Sequence, residues 1–109
     1  MTSVLDLEHL RTFTGGNADF EREIVGLFAG DLPRTFAALR AAKTPRDWHM
    51  ATHTIKGSAL AVGAFKLAAA AKAAEGLVTP DHPAHDDAVE AITVAISDVL
   101  AEAARVHLI

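Results

Sequence analysis

Cysteine is absent from this chain of 109 residues, and so is tyrosine. Without thiols there are no structural disulfides and no thiol chemistry. Aromatic residues are scarce, with five Phe and one Trp. Half of the residues are nevertheless hydrophobic, enough for a chain of this length to bury one core without metal or disulfide support. No apolar run approaches the roughly 18 residues that a membrane span needs. The start, Met1 to Asp6, lacks the basic segment and apolar core of a signal peptide. The expectation is a soluble cytoplasmic protein that does not engage membranes. Acidic residues outnumber basic ones by 14 to 10, for a net charge of −4. The Lys and Arg residues are scattered, which argues against nucleic acid as a partner.

Alanine, the best helix former, is abundant, and turn signals divide the chain into helical pieces. Ser3 with Asp6 resembles a capping box opening a short helix to about Phe13. Thr14-Gly15-Gly16-Asn17 forms a loop, with Asn17 as the next N-cap. From Ala18, the residues Phe20, Ile24, Leu27, Phe28, Leu32, Phe36 and Leu39 follow helical spacing, and Pro33 is expected to kink that helix. Thr44-Pro45 starts a third helix, with Asp47 placed to suit the helix dipole. It runs to about Leu60 or Val62, and Gly63 marks its turn. Ala64 to Leu77 reads as a fourth helix, with Leu67, Ala68, Ala71 and Ala74 on one face. Thr79 to Pro83 is a loop, and the acidic, His-containing stretch Asp81 to Asp87 reads as solvated. A last helix carries the stripe Val89, Ile92, Ile96, Val99, Leu100 and Ala103. No stretch alternates as a strand would. The expected fold is all-α: an antiparallel four-helix bundle with a short additional N-terminal helix as a lid. It occupies residues 1–109 as a single domain.

The third helix is the informative one. At about 100° per residue, Trp48, Ala51, Ala59 and Val62 fall within about 40° of Ile55 and form the core stripe. His53 lies about 160° from Ile55 and should face solvent. Gly57, Leu60, His49 and Met50 share its side of the helix. A solvated face would ordinarily carry Lys, Glu, Arg or Gln. An apolar surround with a polar centre reads instead as a contact site, although Met50 and Leu60 fit equally well as bundle-edge core. Gly57 weakens the helix by up to about 1 kcal/mol relative to Ala. It either clears an approach to the imidazole or admits a neighbouring helix, and its expected exposure favours the first. Lys56 lies about 60° to one side. Its ammonium could steady an anionic group and favour the neutral, nucleophilic imidazole. Neutral imidazole can attack phosphorus and form a covalent N-phosphoryl intermediate.

The run His53-Thr54-Ile55-Lys56-Gly57-Ser58-Ala59, followed by Gly63-Ala64, resembles the signature of histidine phosphotransfer (HPt) domains of bacterial two-component phosphorelays. The family pattern is a histidine, a Leu-like residue two on, then Lys-Gly-Ser. Phe28 with Pro33, Asp47-Trp48 and Glu75 fit the family's flanking helices. The resemblance implies that His53 is phosphorylated on Nε2, that Lys56 supports the phosphoryl group and that Gly57 clears its approach. His49, Met50 and Leu60 would then contact the partner. It further implies a monomeric phosphocarrier without kinase activity of its own. Its partners would be receiver domains of response regulators, a hybrid histidine kinase, or both. No cofactor is expected on this chain, since Mg²⁺ would come with the receiver.

A different reading uses the spacing of His49 and His53, four apart as in helical metal pairs. It would make the chain a small metal-binding or adaptor protein, with His82 or His85 as a third ligand. Met50 stands where metalloprotease chemistry would need Glu, so no catalytic metal is expected. Glu75 reads as a structural cap or an ion-pair partner.

Overall fold

The computed structural model describes residues 4–109, which form five helices and, among these residues, no strand. They are α1 (Leu7–Thr14), α2 (Ala18–Ala41), α3 (Pro45–Val62), α4 (Phe65–Glu75) and α5 (His85–Arg105). Consecutive helices from α2 to α5 pack side by side, and α5 returns against α2. Their short links make the neighbours antiparallel, giving the expected four-helix bundle. α1 packs on α2 and α3, and its Leu10, with Leu5 just before it, joins the main core. No helix of the described residues is long and apolar enough to cross a membrane.

The ends of the helices follow from their caps. Asp6 caps α1 by accepting from the His9 amide at 3.1 Å. The helix therefore starts after Asp6; Ser3, the other member of the expected capping box, lies outside the described residues. Asn17 caps α2 through the Phe20 amide at 2.9 Å, and Thr44 caps α3 through the Asp47 amide at 3.1 Å, with Pro45 at the first helical position. α2 continues through Pro33 as one 24-residue helix.

Gly63 ends α3 with φ +82°, a conformation that Gly adopts without penalty. Its carbonyl accepts the Asp6 amide at 2.9 Å, tying α1 to the α3–α4 corner. A Cβ on Gly63 would stand 2.8 Å from the Asp6 carbonyl oxygen.

Two expectations change. The buried stripe of α2 is Glu21, Val25, Phe28, Leu32, Thr35 and Leu39, spaced four, three, four, three and four. Phe20 and Leu27 are exposed, Leu27 by 70%, while Ile24 and Phe36 pack at the margin of the core. Apolar residues occupy two faces of this helix, and the bundle covers only one. α5 also begins earlier than the sequence implies, at His85. Its first turn therefore takes in Asp86 and Asp87, whose charges suit the helix N-terminus.

The core of the bundle is small-residue rich. Leu67, Ala68, Ala71 and Ala74 of α4 are all buried, with Ala64 just before it, as are Trp48, Ala51, Ile55, Ala59 and Val62 of α3. Alanines let these two backbones approach closely, and the largest side chain, Trp48, is fully enclosed. Its indole Nε1–H donates to the Ala74 carbonyl at 2.8 Å. That bond joins the first turns of α3 to the last turn of α4 and fixes the position of the next residue, Glu75. Thr52, also fully buried, returns its hydroxyl to the Trp48 carbonyl at 2.9 Å, so the polar side chain fits without an unpaired donor.

Candidate functional site

The α3 stripe buried against the bundle turns the opposite side of the helix outward. His49, Met50, His53, Gly57 and Leu60 are all exposed there. Met50 is 56% and Leu60 45% exposed, which decides between the two readings of these residues: they are surface, not bundle-edge core. A Cβ built on Gly57 meets no atom within 4 Å. No neighbouring helix requires the glycine, and the space beside it is open.

One residue of α4 completes the patch. The carboxylate of Glu75, whose side chain is 20% exposed, lies against three α3 side chains. Its Oε2 is 3.3 Å from His53 Nδ1 and 4.0 Å from His49 Nδ1. Its Oε1 accepts from Lys56 Nζ at 3.0 Å. The His49 and His53 rings stack nearly parallel, 5.6 Å apart and 15° from coplanar.

The Lys56 hydrogen bond, and after it that of His53, hold the Glu75 carboxyl below its ordinary value against the opposing effect of partial burial. Glu75 is therefore ionised at neutral pH and can only accept hydrogen bonds. The His53 nitrogen facing it must then carry the proton. In a neutral His53 ring so bound, the free lone pair is on Nε2.

Lys56 makes a contact that its own helix does not reveal. Its ammonium ends on Glu75, and the group in contact with the His53 ring is a carboxylate. The lysine charge is taken up by that carboxylate rather than acting alone on the imidazole. Lys56, only 22% exposed, and Trp48, through Ala74, together set the carboxylate's place. Glu75 was legible as an ion-pair partner, but its contact with the histidine was not. His53 and Glu75 are 22 residues apart, and only the packing of α4 on α3 brings them together.

The structure also separates the histidines that the metal-binding reading combined. His82 Nδ1 accepts the Ala84 amide at 2.9 Å. His85 lies against Trp48, with ring centroids 5.1 Å apart and the planes tilted by 39°. Neither joins His49 and His53; the third group beside that pair is Glu75. Next to the patch, α2 and α3 form a groove of about 370 Å³ lined by Arg34, Thr35, Ala38, Met50, Ala51 and Thr54 among others. Met50 thus borders both the groove and the histidine.

Fold and site together define a helical bundle that presents one oriented imidazole on an accessible surface. A family model described as Hpt domain matches residues 23–105, and the chain belongs to the Hpt domain family. Domains of this family are phosphocarrier modules of two-component signalling that interact with receiver domains. No significant match was found among curated proteins or among solved structures.

Proposed function

We propose that this protein relays a phosphoryl group between receiver-domain aspartates, with His53 as the carrier. The observation that supports this most directly is the His53–Glu75 hydrogen bond on an open helix face. A carboxylate on Nδ1 leaves the Nε2 lone pair free and directed away from Glu75. Nε2 attacks the phosphorus of a receiver aspartyl phosphate, the N–P bond forms, and the acyl phosphate P–O bond breaks. The aspartate leaves as a free carboxylate. The ring keeps its Nδ1 proton and becomes a phosphorylated imidazolium, whose positive charge is balanced by Glu75. No proton has to leave, so the step is reversible, and a second aspartate can take the group by the same path.

The other residues serve this exchange. Gly57 leaves room for the acyl phosphate beside the ring. Lys56 anchors Glu75 and contributes positive charge to the patch that meets the phosphoryl group. His49, Met50 and Leu60 provide the surface on which the receiver rests, with Met50 continuing into the α2–α3 groove. The receiver contributes Mg²⁺ and most of the charge stabilisation of the transition state. In this reading the chain is a carrier and has no kinase activity of its own.

The test is incubation with a phosphorylated receiver domain. Transfer of acid-labile label to the wild-type chain and none to a His53→Gln variant is the expected result. Equal labelling of both would rule out His53.

A further inference from the structure

His49, His53 and Glu75 have one property that phosphotransfer does not use. Each offers a ligand atom, and all three atoms lie within 4.8 Å of one another. We propose that this triad binds a divalent transition ion of the zinc or copper type, and that the bound ion switches off phosphorylation of His53. The inhibitory half rests on the phosphotransfer reading; the binding half does not.

The donor set is chemically selective. Two imidazoles and a carboxylate suit zinc, copper and nickel, whereas Mg²⁺ prefers oxygen ligands and retains its waters. Three protein ligands with a fourth, open position for water form a familiar zinc arrangement. Bonds of about 2.1 Å at tetrahedral angles place ligand atoms about 3.4 Å apart. Here Glu75 Oε2 is 3.3 Å from His53 Nδ1 and 4.0 Å from His49 Nδ1. A bound ion must lie in the plane of each imidazole, so the rings, now stacked 15° from parallel, have to turn about their χ angles, which two exposed side chains can do. The backbone is already suited, since residues four apart on one helix present their rings on the same side. Lys56 holds only Oε1 of Glu75, leaving Oε2 for the ion. The lysine charge opposes a cation, which fits a site that loads and unloads rather than one permanently filled.

The inhibition follows from the tautomer. Glu75 holds the proton on Nδ1 and leaves the lone pair on Nε2. An ion at Nδ1 takes that nitrogen's lone pair and displaces its proton to solvent, and Nε2 takes up a proton in turn. The ring stays neutral overall, but the nitrogen that attacks phosphorus has no lone pair left. The metal-bound ring therefore cannot accept the phosphoryl group.

Calorimetry on the tag-free protein with zinc chloride tests the binding half. One saturable site per chain is expected. His49→Ala should abolish it, and Glu75→Gln, which exchanges a charged ligand for a neutral amide of the same shape, should weaken it. Both variants should keep the helical circular dichroism of the wild type. No saturable binding, or binding unchanged in His49→Ala, would overturn the site. For the inhibitory half, label transfer from a phosphorylated receiver is measured with and without zinc, each variant against its own zinc-free rate. Zinc should stop transfer to the wild type, a zinc-selective chelator should restore it, and His49→Ala should resist. Equal inhibition of His49→Ala would place the effect on the receiver and refute the switch. A wild type that accepts no phosphate even without zinc would instead defeat the phosphotransfer reading, leaving calorimetry to decide the site.

Discussion

Gly57 offers an unusual separation of stability from function. A mid-helix glycine is about 0.8–1.0 kcal/mol less favourable than alanine. A Cβ at this position meets nothing within 4 Å, so no clash offsets that gain. Gly57→Ala should therefore stabilise the protein by up to about 1 kcal/mol, or roughly 4 °C in Tm. The same substitution narrows the space beside His53. A series of Gly57→Ala, →Val and →Leu should slow phosphate acceptance progressively while every variant stays folded. Displacing the acyl phosphate by about 1 Å is enough to slow transfer roughly a hundredfold, and the leucine variant should approach that. Urea denaturation and timed label transfer from a phosphorylated receiver give the two readings. If Gly57→Ala destabilises the protein, the surface around the residue is not open. If Gly57→Leu accepts phosphate at the wild-type rate, the glycine does not clear the approach.

Other substitutions test the scaffold and the carboxylate. Trp48→Phe removes the indole donor from the Ala74 carbonyl, which keeps the Leu77 amide as a donor, so losing that bond should cost about 0.5–1.5 kcal/mol in chemical denaturation. A change below about 0.5 kcal/mol would mean that the bond contributes little. Gly63→Ala forces a left-handed conformation costing about 1–2 kcal/mol and drives Cβ into the Asp6 carbonyl, so it should destabilise by more than the conformational term alone. Hydrogen exchange should show α1 loosening first. Glu75 is held below its ordinary pKa, so its contribution to stability is fully present above the unfolded-state value of about 4.3. It is lost as pH falls through the lower folded value. The stability gap between wild type and Glu75→Gln should thus shrink as pH falls below about 4.3. A gap that grows toward acid would contradict the assigned direction.

The sequence made some of this structure plain and concealed the rest for identifiable reasons. α3 was legible throughout, since Thr44-Pro45 gives it an unambiguous start, Gly63 an end, and its apolar residues occupy one stripe only. That single stripe is also why the outward position of His53 could be counted from Ile55. The buried face of α2 is ambiguous in the sequence because Phe20 and Leu27 follow helical spacing as well as Val25 and Phe28 do. Only the assembled bundle shows that Glu21 and Thr35 lie on the buried side. The start of α5 was missed because Ala84 provides no side-chain cap, so nothing local distinguishes His85 from the loop before it. At the site, the motif around His53 was readable within one helix. The orientation of its ring was not, because that depends on Glu75 from another helix. The cue available was a lone acidic residue closing the alanine-rich run of α4.

The central claim is that His53 accepts a phosphoryl group on Nε2 while Glu75 holds Nδ1. The most direct measurement is NMR of the ¹⁵N-histidine-labelled protein after phosphorylation by a receiver domain. Phosphorus coupling to Nε2 of His53 alone, with the proton retained on Nδ1, is the result this account requires. Coupling to Nδ1, or to any of the other five histidines, would contradict it.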